Sequence, residues 1–123
     1  MSGETEYQAE RPSEIVYDDF AKVEVRVGRV LSAEPLAGAR KPAYRLSIDF
    51  GESIGIKQSS AQVTVHYTPE ELVGRLVLCV VNFPPRRIAG FKSEVLTLGV
   101  PDENGDVVLI APTLDVPHGG RLY

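Results

Sequence analysis

The sequence predicts an all-β domain: a small barrel of five short strands with one short helix between the third and the fourth. Three observations predict it. Apolar residues recur in short runs with the period of two that a half-buried strand requires. Glycine, proline and asparagine–glycine turns separate these runs. One helix start stands among them, with Thr68, Pro69 and Glu71 at the N-cap, N1 and N3 positions of a capping box.

Residues 1–16 are polar, acidic and without period, and are expected to form a disordered leader to a single domain over 17–123. Asp18 and Asp19 are placed to cap a short helical turn through Phe20 and Ala21. Val23, Val25 and Val27 then alternate with Lys22, Glu24 and Arg26. The next apolar residue in phase would be 29, but 29 is arginine and the valine is at 30. Gly28 stands at this slip and predicts a β-bulge that bends the first strand. Residues 35–42 read as a loop. Tyr44, Leu46, Ile48 and Phe50 mark a second alternating strand, and "IGIKQSS" at 54–60 a short third. The helix opened by Thr68 closes at Gly74, and "RLVLCVVN" at 75–82 is a fourth strand, apolar enough to be buried on both faces. "SEVLTLGV" at 93–100 is the fifth. Asn104-Gly105 predicts a tight hairpin into "DVVLI", and a tail over 111–123 packs behind it. This order of elements is that of an OB-fold, a five-stranded Greek-key barrel with its helix between strands three and four.

Composition narrows the function classes. The chain has 123 residues, 43% apolar and 24% charged, the balance of an ordinary globular domain with one core. The longest apolar run, "LVLCVV" at 76–81, is far short of the ~20 residues that span a bilayer. The acidic N-terminus lacks the apolar stretch of a secretory signal, and the single Cys79 lies within a strand, so a cytoplasmic protein without membrane insertion is expected. The net charge of −4 hides a division. Residues 1–19 carry −5, residues 20–101 carry +4 and residues 102–123 carry −3. The middle is mildly basic between acidic ends.

No catalytic set emerges. His66, His118 and Cys79 lack metal-ligand spacing, so neither a metal nor a cofactor is expected. "GESIG" at 51–55 lacks the Gly-Lys-Ser/Thr of a phosphate loop. What remains is a binding surface. "IKQSS" offers Lys57, Gln58, Ser59 and Ser60. "NFPPRRIAGFKSEVL" at 82–96 offers Arg86, Arg87, Lys92, Ser93 and Glu94, with Ile88 and Phe91 between them. Pro84 and Pro85 stiffen the approach, and arginines on a rigid turn make directed bonds to phosphates or carboxylates. A bulge at Gly90 would bring Phe91 to the same opening as Ile88 and Lys92, where it would serve as an apolar wall; the alternative places Phe91 in the core.

The two blocks "IKQSSAQ" and "VNFPPRRIAGFKSEVL", with "DDFAKVEVRVGRV" before them, resemble the tRNA-binding domain family over residues 17–123. Within it they are most similar to the CsaA branch of secretion-related chaperones. Ser93-Glu94 is followed here by Val95-Leu96, where the tRNA-binding branch has Gly-Met, and Phe83-Pro84-Pro85 replaces its Leu-Lys-Pro. The resemblance implies a non-catalytic, ATP-independent homodimer that holds unfolded precursor polypeptides for export, with the export machinery as a further partner. The alternative it carries is a tRNA-binding module that uses the same basic surface.

Overall fold

The alternation of Tyr44, Leu46 and Ile48 supplies the wall around which the rest closes. In the computed structural model, which describes residues 10–123, a five-stranded antiparallel sheet has the order β3-β2-β1-β4-β7. Its strands are β1 (Val25–Pro35), β2 (Tyr44–Asp49), β3 (Ile56–Ala61), β4 (Leu76–Val80) and β7 (Leu96–Thr97). Two short ribbons complete the chain: β5 (Arg86–Ile88) with β6 (Phe91–Ser93), and β8 (Gly99–Pro101) with β9 (Val107–Leu109). The sheet curls into a nearly closed barrel with the features of an OB-fold. Its interior holds Val30, Leu46, Ile48, Phe50, Val77 and Cys79.

Helices are few and short. In α1 (Tyr17–Ala21) neither aspartate holds the N-cap position, though Asp19 caps the start from within. Val16 holds the N-cap position, and Asp19, at N3, accepts the Val16 N–H at 3.2 Å. Residues 1–9 of the expected leader lie outside the described residues, and residues 11–16 are exposed with neither helix nor strand. The second helix, α2 (Pro69–Leu72), lies between β3 and β4 as expected. Its capping box is complete: Thr68 Oγ1 accepts the Glu71 N–H at 3.2 Å, and Glu71 accepts the Thr68 N–H at 3.0 Å. These bonds hold the Glu71 carboxyl below the usual carboxylate range.

Three expectations are corrected. Gly28 is not a bulge: it stays in register opposite Val77. Gly28 and Val30 face the barrel interior, whereas Val25 and Val27 belong to a second cluster on the outer face with Leu76, Leu78 and Val80. Both faces of the strand are buried, so the apparent slip in phase is a change of face. Glycine is needed for space, since a Cβ at 28 would stand 2.4 Å from Ile48 Cγ2. The register shift comes later, between Val30 and Ser32, and bends the strand so that one half pairs with β4 and the other with β2. Next, the 93–100 run is not one strand but parts of β6, β7 and β8. Finally, Asn104-Gly105 does lie in the turn of a hairpin, β8 into β9, but the turn is longer than two residues, because Pro101 pairs with Val107 and residues 102–106 form the loop. Asp102 Oδ1 organises that loop by accepting the N–H groups of Asn104 and Asp106, each at 2.9 Å.

The tail covers the outer cluster. Val116 packs on it, and Gly119, Gly120 and Leu122 hydrogen-bond to the backbone of Val25 and Val27. Arg29, the residue that breaks the valine pattern, clamps the tail through His118 at 2.9 Å and Asp115 at 2.7 Å.

Candidate functional site

The β5–β6 ribbon is the platform of the site. Its two-residue turn places Ala89 and Gly90 at positive φ, 52° and 78°, the pattern of a type I′ hairpin. Gly90 is suited to this conformation; Ala89 adopts it against its preference. The register sets Arg86 opposite Ser93, Arg87 opposite Lys92 and Ile88 opposite Phe91. Side chains alternate along a strand, so Arg86, Ile88, Phe91 and Ser93 share one face of the ribbon while Arg87 and Lys92 share the other.

This register corrects the expected apolar wall. Phe91 does meet Ile88, but across the hairpin rather than through a bulge, and Lys92 points away from both. Phe91 is only 9% exposed. It packs with Leu36 and Ala43, against Ala39 and Ile88, and ties the hairpin to the 36–43 loop. The Arg45 guanidinium carbon lies 6.0 Å from its ring centroid. Phe91 therefore supports the site from beneath.

Ser59 is likewise enclosed, at 0% exposure, with its hydroxyl 2.8 Å from that of Thr97 and 3.1 Å from the Ser60 carbonyl. It is a core residue, not a surface donor. Ser93, also buried, accepts the Ser60 N–H at 3.1 Å. Lys57 is half-buried in β3 and lines none of the three hollows around the hairpin.

Glu94 has a definite structural task. The barrel closes along β3, where the Gln58 carbonyl accepts the N–H groups of Glu94 at 2.8 Å and Val95 at 3.3 Å. The Gln58 N–H has no strand partner at this seam, and the Glu94 carboxylate accepts it at 3.1 Å. With Ser93, it lets side chains stand in for a missing ladder. Glu94→Ala is expected to cost about 1 kcal/mol and to speed hydrogen exchange at the Gln58 amide, whereas Glu94→Gln keeps an acceptor oxygen and most of the stability. Equal urea midpoints for the two variants would remove this role.

Beside the hairpin lies an apolar groove of about 480 Å³. Phe83, Pro84, Pro85, Ile88 and Leu96 supply its apolar lining, with Ser60, Arg86 and Glu94 at the same opening. Phe83 is 53% and Leu96 47% exposed, a large apolar surface left open. Two more hollows flank the hairpin. One, of about 710 Å³, brings Arg45, Gln58, Arg87 and Lys92 together. The other, of about 610 Å³, lies between the hairpin and the 38–41 loop and joins Arg40 and Lys41 to Arg86 and Arg87. Arg45 is paired with Glu34. Among the described residues, Arg40, Lys41, Arg86, Arg87 and Lys92 form no ion pair.

Arg40, Lys41, Arg45 and Leu96 are parts of this surface that the sequence alone did not mark. "GARKP" carried a signal, two cations between a glycine and a proline, but its place beside the hairpin is set by the Leu36–Phe91 packing. Nothing in the site resembles an activated nucleophile. Burial pushes the Cys79 thiol up to about 12, with a small opposing pull from the Thr97 hydroxyl.

The sequence matches the family described as "Putative tRNA binding domain" over residues 25–121. It is 35% identical over 121 residues to a methionine–tRNA ligase of Methanosarcina mazei, which covers 98% of this chain and 17% of the ligase. A second such ligase, from Methanothrix thermoacetophila, is 43% identical over 105 residues, 85% of this chain and 15% of the ligase. The chain thus spans a small part of these curated relatives. Among solved structures, the chaperone CsaA of Bacillus anthracis superposes with a TM-score of 0.84 at 50% identity, covering 90% of this chain and 100% of that one. The CsaA chaperone protein of Picrophilus torridus gives 0.83 at 44% identity, over 89% and 100%.

Proposed function

The chain belongs to the tRNA-binding domain family, and on that footing we propose that it is a non-catalytic holder of extended polypeptide, a chaperone that keeps precursor proteins unfolded for export from the cytoplasm. The groove carries this reading. An exposed apolar trough walled by two prolines, Phe83, Ile88 and Leu96 offers side-chain-sized burial without demanding a particular sequence. Each apolar client side chain taken up is worth roughly 1.5–3 kcal/mol. Arg86 and Glu94, of opposite sign at the same opening, suit the carbonyls, carboxylates and amines of a passing chain. The likeness to chaperones named CsaA over their whole length supports the same reading.

In this account the working form is a homodimer. Ile15, Val16 and Tyr17 at one end and Leu114, Leu122 and Tyr123 at the other are exposed apolar residues that a two-fold contact would cover. Two grooves on one particle would hold a client at two points.

A second reading rests on a separate observation, the band of cations Arg40, Lys41, Arg86, Arg87 and Lys92, which form no ion pair among the described residues. Such a band suits a tRNA backbone, and the family description and the ligase relatives favour it. Salt separates the two. Fluorescence anisotropy of a labelled extended precursor peptide and of bulk tRNA, across a salt series, is expected to give a shallow slope for the peptide. Any tRNA binding should weaken by about one logarithmic unit per phosphate contact for each decade of salt. A steep peptide slope, or saturable binding of tRNA alone, would transfer the function to the second reading.

A further inference from the structure

Away from the hairpin, one side-chain cluster is used by neither reading. His66 lies in the loop ahead of α2, and Asp102 and Asp106 bracket the loop between β8 and β9. His66 Nε2 stands 2.7 Å from Asp102 Oδ2. One donor atom from each of the three residues falls within 4.8 Å of the others, close to the span that metal–ligand bonds of about 2.0–2.2 Å can bridge.

The Asp102 carboxylate is held in place before any ligand arrives. Its Oδ1 accepts two backbone N–H groups of its own loop, which leaves Oδ2 turned towards the imidazole. Backbone bonds that orient a carboxylate in this way are the usual supports of a metal ligand.

We propose that His66, Asp102 and Asp106 form a binding site for a first-row divalent cation of the zinc class. The mixed nitrogen and carboxylate donors suit Zn²⁺, Co²⁺ or Ni²⁺ better than Ca²⁺ or Mg²⁺, which take oxygen ligands throughout. Three protein donors leave at least one position for water. The ion would staple the 62–68 loop to the β8–β9 ribbon. Binding to the folded chain alone would then raise its stability with metal concentration.

Zn²⁺ titration by calorimetry, with Co²⁺ absorption as a coordination signal, tests the site on the wild-type chain and on two variants, His66→Gln and Asp106→Asn. Neither residue builds the loop by its side chain, and Asp102, which does, is left intact. The expected result is one Zn²⁺ per chain, weakened at least tenfold in each variant, with a visible Co²⁺ band and a metal-dependent rise in melting temperature in the wild type only. Equal heats and equal melting shifts in all three proteins would mean an adventitious ion only, held by surface acids, and would overturn the site. So would the lack of saturable binding at millimolar metal. Both outcomes are independent of peptide and tRNA binding.

Discussion

Phe91→Ser is expected to lower the midpoint of a urea melt steeply at unchanged slope, a loss of roughly 3 kcal/mol, as for other buried aromatic truncations. The ring is the largest member of the cluster that joins the hairpin to the 36–43 loop, with Leu36, Ala43, Ala39 and Ile88 around it. Removing it leaves a cavity and puts a hydroxyl among apolar groups. The consequence reaches function. The hairpin presents Arg86 and Ile88 to the groove, and the loop presents Arg40 and Lys41 to the neighbouring hollow, so both surfaces lose their common anchor. Peptide and tRNA binding should fall together. A variant that melts like the wild type and loses peptide binding alone would return Phe91 to the exposed wall and contradict its place beneath the hairpin.

The second large effect is expected from the groove itself. Phe83→Ser combined with Leu96→Ser removes two half-exposed apolar side chains from its lining. Neither belongs to a buried cluster, so stability should change by about 0.5 kcal/mol or less for each substitution. Affinity for an extended apolar peptide should drop far more. Forfeiting roughly 1.5 kcal/mol or more of apolar burial at each side chain corresponds to a loss of about a hundredfold. Anisotropy with a labelled peptide reads the affinity, and the urea melt checks the fold.

What was legible in the sequence follows the range of the interactions. The capping box at Thr68, Pro69 and Glu71 is a contact over three residues, and the sequence locates it correctly. Alternation in Tyr44, Leu46 and Ile48 identifies an interior wall because the other side of β2 carries Arg45, Ser47 and Asp49. The same rule misplaced the bulge in β1, since alternation marks faces only when one of them is wet. Here the tail from 116 to 122 covers the outer face, so Val25 and Val27 are buried along with Val30. The candidate site divides in the same way. Arg86, Arg87 and Lys92 announce a cationic turn by composition alone, but which of them share a face depends on the turn at Ala89 and Gly90. Glu94 was visible as an acid behind cations. Its bond to the Gln58 amide, across 36 residues of chain, was not.

The two faces of one hairpin carry different chemistry: an apolar groove beside Arg86 and Ile88, and a cationic surface at Arg87 and Lys92. The direct measurement is a cross of two variants against two ligands, with Phe83→Ser/Leu96→Ser and Arg87→Ala/Lys92→Ala each titrated against the labelled peptide and against bulk tRNA at fixed salt. The first variant is expected to lose the peptide and leave any tRNA binding as in the wild type, while the second keeps the peptide and weakens tRNA. Parallel losses of both ligands in both variants, with the fold intact, would contradict it.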